Sequence, residues 1–211
     1  MTRQRIRIRF RKHGDLRLIS HRDLARCFER WLRRAQLPLR MTEGFHPKPK
    51  LTFPSALALG IVGNDEVMEF ELSEAIPPEE LRERLESCAP PDGLSILSLR
   101  ELGAGEAKAR VRAMRYAIPI PAERCEAVER ELRNWKESTS YLVLREGREE
   151  PVDVKAGVDQ LETHEGQLRF RLIASSSGCS VRPREVLQSL GLDGLEAEGL
   201  FLTREAVEVA P

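Results

Sequence analysis

The sequence has no long hydrophobic run that could cross a membrane. Its longest apolar stretch, Ala56 to Val62, is interrupted by Gly60, whereas a transmembrane helix needs about 20 apolar residues. The arginine-rich amino terminus, Met1 to Lys12, also lacks the apolar segment of a secretory signal. We therefore expect a cytoplasmic protein without a membrane anchor.

Metal-binding and common catalytic motifs are missing as well. The four cysteines lie far apart, without CxxC or CxxxCxxC spacing, so nothing indicates a zinc site or an iron–sulfur cluster. They are Cys27, Cys88, Cys125 and Cys179. The sequence contains no P-loop, no HExxH motif and no Ser-His-Asp order. It therefore predicts neither a metal site nor a cofactor held by the chain itself.

The sequence does contain a strong separation of charge along the chain. Residues 1–50 hold 15 Lys and Arg against four acids, a net charge of +11. Because the whole chain has 34 basic and 34 acidic residues, residues 51–211 carry −11. A basic segment of this kind attracts a polyanion such as RNA, or the acidic remainder neutralises it within one fold.

The residue pattern of the first half predicts four strands and two helices. Gln4 to Arg11 alternates between apolar residues and arginines, which is typical of a half-buried strand. A helix is predicted from about residue 21 to 36 because apolar residues recur there at helical spacing. The other elements are strands at Leu39–Thr42, Val67–Leu72 and Leu94–Arg100 and a helix from Pro77 to about Ala89. The order is βαββαβ, the ferredoxin-like arrangement.

The same order recurs in the second half. The predicted strands and helices lie at Tyr116–Ile120, Pro121–Glu137, Tyr141–Arg145, Gln167–Ala174, Pro183–Leu190 and Leu200–Val209, and Val152–Lys155 is a further candidate strand. The sequence therefore predicts an α+β protein with two tandem ferredoxin-like halves and antiparallel sheets. We place a basic domain at residues 1–103, a linker at 104–112 and an acidic domain at 113–211.

Basic residues among the first fifty positions form the predicted nucleic-acid-binding surface. One group lies on the outer face of the first strand, a second follows a spacing of four, four and three along the first helix, and a third lies in the Pro-rich loop. They are Arg5, Arg7 and Arg9, then Arg22, Arg26, Arg30 and Arg33, then Lys48 and Lys50. The aromatic pattern of RNA-recognition modules is absent, so we expect salt-sensitive contacts with phosphates rather than base reading. The alternative is a solvated surface partly paired with acids of the second half.

Three histidines of the basic segment are candidate catalytic residues. His13, His21 and His46 lie in a turn, at a helix start and in the Pro-rich loop. Because histidine titrates near neutral pH, such residues can act as the base and the acid of RNA cleavage without a metal. The alternative is that His21 helps to begin the helix while the other two contact phosphate or solvent.

A second candidate anion site lies in the acidic half. Arg182 and Arg184 open a predicted helix after the small-residue segment Ser175 to Val181. Backbone N–H groups at a helix start bind anions, and the two arginines would add positive charge. An ordinary turn into the helix is the alternative.

Several segments of the chain resemble the radical SAM-linked protein family. They read GDLRLISHRDL at residues 14–24, RRAQLPL at 33–39, EGFHPKPKL at 43–51, ALALG at 56–60 and RPREVL at 182–187. The loop differs from the family's usual GFNPHPK because His46 stands in the place of Asn and Lys48 in the place of His.

The resemblance implies a partner rather than a reaction. Members of this family occur alone or as carboxy-terminal extensions of cobalamin-binding radical SAM enzymes. Since this chain lacks the CxxxCxxC cluster motif, the resemblance implies an accessory role, with the cofactor held by the partner. The sequence thus predicts an RNA-binding or substrate-presenting accessory protein. A metal-independent endoribonuclease and a protein-docking module for an acidic face of the radical SAM enzyme are the alternatives.

Overall fold

A computed structural model describes residues 4–89, 92–145, 147, 149–174 and 181–210. The chain divides into two compact units. The first contains the described residues of Met1–Arg110 and Ala210–Pro211, and the second is Val111–Val209. Both units combine α-helices with antiparallel strands, so the predicted α+β class is confirmed. None of the described helices is long and apolar enough to cross a membrane.

The described residues of the first unit form four strands and two α-helices. In chain order they are β1 (Gln4–Lys12), α1 (His21–Arg34), β2 (Leu51–Thr52), β3 (Val62–Leu72), α2 (Pro78–Ser87) and β4 (Leu94–Leu102). Strand β1 lies between β4 and β3, and the short β2 pairs with the other edge of β3. All of these pairings are antiparallel.

The alternation of apolar residues and arginines along β1 places its apolar side chains in the core of this unit. Ile6, Ile8 and Phe10 are almost completely buried, as the apolar half of the alternation predicts. The Phe10 ring contacts the Phe28 ring of α1 edge-on, with centroids 4.8 Å apart. The indole N–H of Trp31 donates to the backbone oxygen of Leu85 at 2.9 Å and so joins α1 to α2. The apolar side of α1 is therefore fixed, and its arginines are left on the other side.

In the second unit, the part of the chain that the structure describes forms six strands and two α-helices. They are β5 (Val111–Pro119), α3 (Cys125–Glu137), β6 (Leu142–Val143), β7 (Val152–Asp153), β8 (Val158–His164), β9 (Gln167–Ile173), α4 (Pro183–Ser189) and β10 (Thr203–Val209). Strands β10, β5, β9 and β8 lie side by side in that order, all antiparallel, while β6 and β7 form a separate pair.

Two predicted strands differ from the observed ones. Residues Leu39–Thr42 form only isolated bridges, and β2 follows them after the Pro-rich loop. The predicted strand Tyr141–Arg145 is reduced to the two residues of β6. The strand that pairs with the outer edge of β9 is β8, not the predicted strand at Tyr141–Arg145. Strand β8 was not predicted because its sequence, VDQLETH, has few apolar residues and only weak alternation.

Candidate nucleic-acid interface

Helix α1 presents its arginines on the side opposite the core. Its buried residues are Leu24, Phe28, Trp31 and Leu32. Its five exposed arginines are Arg22, Arg26, Arg30, Arg33 and Arg34, which we call the α1 arginine stripe. The helix can keep this charge on one side because the spacing of its apolar residues fixes the other side against the sheet.

Asp23 neutralises one arginine of the stripe. The Ser20 hydroxyl donates to the Asp23 carboxylate at 2.7 Å, and Arg26 donates to the same carboxylate at 3.2 Å. These contacts hold the pKa of Asp23 below its usual range. Both side chains of the Asp23–Arg26 pair are more than half exposed, so solvent screens the pair and it contributes little to folding. Arg26 can therefore exchange this partner for another anion at little cost.

The other members of the stripe form no ion pair with any carboxylate that the structure describes. Arg22, Arg33 and Arg34 have no described carboxylate within 4.0 Å. Arg30 instead donates to the sulfur of Cys27 at 3.4 Å. The stripe therefore keeps most of its positive charge available to an external anion.

The arginines of β1 have partners within the first unit. Arg7 lies 2.8 Å from Glu69 on β3, and Arg5 lies 3.2 Å from the same carboxylate. Arg9 lies 2.6 Å from Asp65. Because Arg7 is only 8% exposed, an external phosphate would have to displace Glu69 to reach it. This group therefore differs from the α1 arginine stripe in being neutralised already.

Residues Gly103–Ala109, which fall largely in the predicted linker, contribute to this neutralisation. The Glu106 carboxylate lies 2.7 Å from Arg100 and 3.6 Å from Arg7, and the Glu106 backbone oxygen accepts a hydrogen bond from Arg5. The backbone N–H of Ala109 donates to Glu69 at 3.0 Å. The hydrogen bonds from Arg100 hold the pKa of Glu106 below its usual range. This segment thus supplies an internal anion to the arginines of β1.

The Pro-rich loop projects an aromatic residue. Its base is closed by hydrogen bonds from the Thr42 backbone N–H to the Lys48 oxygen at 2.7 Å and from the Lys48 N–H to the Thr42 hydroxyl at 3.0 Å. Gly44 has a φ of 119°, which strongly favours glycine at this position. Phe45 at the tip is fully exposed, as is much of Lys48, while Lys50 is half-buried. The loop therefore offers a ring and a cation to a partner.

The three candidate catalytic histidines lie on different elements. His13 precedes a 3₁₀ turn and donates its backbone N–H to the Gly93 oxygen at 2.9 Å. His21 is the first residue of α1, and its ring contacts the Phe53 ring edge-on with centroids 5.1 Å apart. His46 is exposed in the Pro-rich loop. Among the described residues, no group of three His, Cys, Asp or Glu side chains could hold a metal ion.

The arginines at the start of α4 have acidic neighbours of their own. Arg184 lies 2.6 Å from Glu196, and these hydrogen bonds raise its pKa. The Arg182 backbone N–H donates to the buried Glu185 carboxylate, which Arg145 also contacts at 2.5 Å. Burial raises the pKa of Glu185, but the hydrogen bonds from Arg145 and Arg182 outweigh it and leave this pKa below the usual range. Residues 175–180 of the candidate anion loop, with Cys179, lie outside the described residues.

Sequence reasoning did not assign the acids that face β1. A signal was present, because Glu69 and Glu71 alternate with apolar residues in the strand predicted at Val67–Leu72. An alternating acidic face beside an alternating arginine face predicts ion pairs across the two strands. Glu106 carries no such signal, since it lies in a segment without periodicity.

The comparison with known families assigns the chain to one of them. Residues 5–183 match DUF2344, described as an uncharacterized protein conserved in bacteria. The chain belongs to the DUF2344 family. The family's description states no activity, cofactor or partner.

Other comparisons add no functional information. No curated protein matches the chain. Among solved structures, the chain is similar to the crystal structure of an unknown protein from Galdieria sulphuraria, with 15% sequence identity, 100% of each chain covered and a TM-score of 0.26. A similarity at this level supports no argument about fold or function.

Proposed function

We propose that this chain is an accessory protein that binds RNA by holding its phosphates on the α1 arginine stripe. The observation that carries the proposal is the exposed charge of this helix, in which Asp23 pairs with Arg26 while Arg22, Arg33 and Arg34 have no described carboxylate within 4.0 Å. Like charges three or four residues apart destabilise a helix by about 0.2–0.5 kcal/mol per pair. An anion bound along the stripe removes this repulsion.

The geometry of the stripe suits a polymer better than a single small anion. With a rise of about 1.5 Å per residue, successive arginines at spacings of four lie about 6 Å apart along the helix, and Arg22 to Arg33 spans roughly 16 Å. A phosphate chain can contact several of these guanidinium groups at once, and planar guanidinium groups bind phosphate oxygens through two hydrogen bonds. The Pro-rich loop with Lys48 supplies a further basic element of the same unit.

The proposal also includes a partner for the chain and a fold for each unit. From the resemblance to radical SAM-linked proteins, we infer that the chain presents RNA or another substrate to a radical SAM enzyme, which would hold the cluster and the cofactor. We also infer that each unit is a ferredoxin-like domain. The strand orders β4-β1-β3-β2 and β10-β5-β9-β8, with helices α1 and α2 in one unit and α3 and α4 in the other, support this assignment.

Charge reversal at the start of the stripe tests RNA binding. In the variant Arg22→Glu/Arg26→Glu, the new acids lie in the first turns of α1, where negative charge favours the helix. We expect labelled structured RNA to bind the native chain at low salt and to bind this variant at least tenfold more weakly. The control is Arg130→Glu/Arg133→Glu, which changes the charge by the same amount on exposed positions of α3. Equal affinity of the native chain and the stripe variant contradicts the proposal.

The same incubation distinguishes the catalytic alternative. With RNA bound and EDTA present, an accessory protein leaves the RNA intact over hours. Cleavage that disappears in His13→Ala, His21→Ala or His46→Ala would instead identify a metal-independent nuclease.

A further inference from the structure

A cleft in the first unit adjoins the α1 arginine stripe, and the proposed function leaves its apolar interior unused. Its volume is about 260 Å³. The side chains around it come from the turn before α1, from α1 itself, from the residue that follows α2, and from the start of β4 with the loop just before it. They are Leu16, Cys27, Arg30, Trp31, Arg34, Cys88, Asp92 and Leu94.

The two arginines give this cleft a positive rim. Arg30 and Arg34 are four residues apart on α1, so they lie one above the other on the same side of the helix. Both are exposed, and neither forms an ion pair with Asp92 or with any other carboxylate in the described ranges. A ligand with a phosphate group can therefore place it at this rim.

The inner wall of the cleft consists of apolar side chains and polarizable sulfur atoms. Leu16, Trp31 and Leu94 supply apolar surface, and the two half-buried thiols of Cys27 and Cys88 supply polarizable sulfur. The Cys88 sulfur lies 3.1 Å from the Arg84 backbone oxygen, so the helix end holds this thiol in position. Such a wall favours a flat, weakly polar ring over a hydrated ion.

We propose that the cleft takes one unpaired base of the bound RNA, with the adjoining phosphates on Arg30 and Arg34. The inference rests on the proposed function and deepens it, because it makes a single strand, not a duplex, the preferred form of the RNA. Pockets for drug-sized ligands measure about 300–1,000 Å³, so a cleft of 260 Å³ suits one ring system. Arg30 and Arg34 belong both to the cleft and to the stripe, so they connect the phosphates of the RNA strand with the inserted base.

Cysteine footprinting on the unmodified chain tests the proposal. Iodoacetamide alkylation at Cys27, Cys88 and Cys125 is followed by mass spectrometry, with an unstructured single-stranded RNA or a blunt RNA duplex of equal length. We expect the single strand to slow alkylation of Cys27 at least fivefold and the duplex to leave it within twofold. Cys125, a half-buried thiol of the second unit, is the internal control and keeps its rate with both RNAs.

A variant with a blocked cleft gives an independent measurement. Cys27→Phe fills the cleft and substitutes no stripe arginine, although it removes the hydrogen bond from Arg30 to the Cys27 sulfur. Cys125→Phe is the matched control because Cys125 also lies half-buried on a helix. Stacking of a base on an aromatic side chain such as Trp31 contributes about tenfold or more to affinity, so we expect single-strand affinity to fall about tenfold in Cys27→Phe and not in the control. Duplex affinity and the slope of affinity against salt stay unchanged, since the phosphate contacts are intact.

The outcomes separate the two proposals. If neither RNA binds the native chain at low salt, the proposed function itself is wrong. If both RNAs bind equally and neither protects Cys27, RNA binding stands and the base-binding cleft is rejected. Protection of Cys27 by the duplex as well as by the single strand also rejects it, because a duplex has no unpaired base to insert.

Discussion

Arg7 and Glu69 form a buried ion pair between neighbouring strands of the first unit. Their closest atoms are 2.8 Å apart, and the two side chains are 9% and 6% exposed. Arg5 shares the same carboxylate, and the Ala109 backbone N–H completes its hydrogen bonding. Because three groups donate to the Glu69 carboxylate, it contributes to the stability of the fold.

Removing one member of this pair should destabilise the chain strongly. In Glu69→Ala, Arg7 keeps its charge but loses its main buried partner, and breaking a buried pair in this way costs about 3–5 kcal/mol. Chemical denaturation followed by circular dichroism measures the loss. The comparison is Asp23→Ala, which breaks an exposed pair and removes the hydrogen bond that the Ser20 hydroxyl donates to the Asp23 carboxylate, and which should cost clearly less. Similar losses in the two variants would contradict the assignment of Glu69 as a buried structural acid.

Glu185 should make stability depend on acid pH. Because its folded-state pKa is depressed below the ordinary value of 4.5, its contribution is present above that value and is lost as the pH falls through the folded-state pKa. The free energy of unfolding of Glu185→Gln should therefore be well below that of the native chain at pH 7, and the gap should narrow below pH 4.5. A gap that stays constant from pH 7 to pH 3 would show that the carboxylate charge plays no part.

Salt dependence should distinguish the arginines of α1 from those of β1. If the stripe contacts three to five phosphates, the slope of log affinity against log salt is about −2 to −4.5, since each contact contributes about 0.7–0.9. Arg33→Gln should remove about one phosphate contact, so the slope should become shallower by about 0.7–0.9. Arg9→Gln should leave it unchanged, because Arg9 is paired with Asp65 at 2.6 Å. Fluorescence anisotropy at several salt concentrations measures both slopes, and equal effects of the two substitutions would contradict the distinction.

Phe45 should matter for binding but not for folding. Its ring is fully exposed, so Phe45→Ala should change the free energy of unfolding by less than about 0.5 kcal/mol. If the ring stacks on an RNA base, the same substitution weakens RNA binding by roughly 1–3 kcal/mol, and Phe45→Trp retains it. Native RNA affinity in Phe45→Ala, together with weakened binding to a purified radical SAM enzyme of the proposed kind, would assign the loop to protein docking instead.

The regular elements of the first unit were predictable from local patterns. The alternation of β1 and the helical spacing of α1 are unambiguous, and the observed bounds differ from the predicted ones by one or two residues. The edge strands were not predictable to the same degree. Strand β2 has only two residues, and β8 is held by its pairing with β9 in spite of its polar sequence. Tertiary pairing, which no single segment encodes, decides such elements.

The sequence predicts which basic residues form the candidate site, but not which acidic residues of the fold pair with them. Exposure of the α1 arginines follows from the helical period, because the apolar side of the helix must face the sheet. Neutralisation of Arg7 depends on Glu69, 62 residues later, and on Glu106, which is farther still along the chain. The cleft beside Cys27 needs Cys88 and Leu94 from two other elements. Long-range contacts of this kind leave no periodic signal.

The segment Gly103–Ala109 also decides how the first unit can be studied in isolation. A fragment ending near residue 102 would lose Glu106 and the Ala109 hydrogen bond to Glu69, and it would uncover Arg5 and Arg7 on β1. Such a fragment would gain an artificial affinity for nucleic acid through residues that the intact chain neutralises. Fragments that extend through Arg110 retain the native charge of this surface, so binding measured on them can be compared with the whole protein.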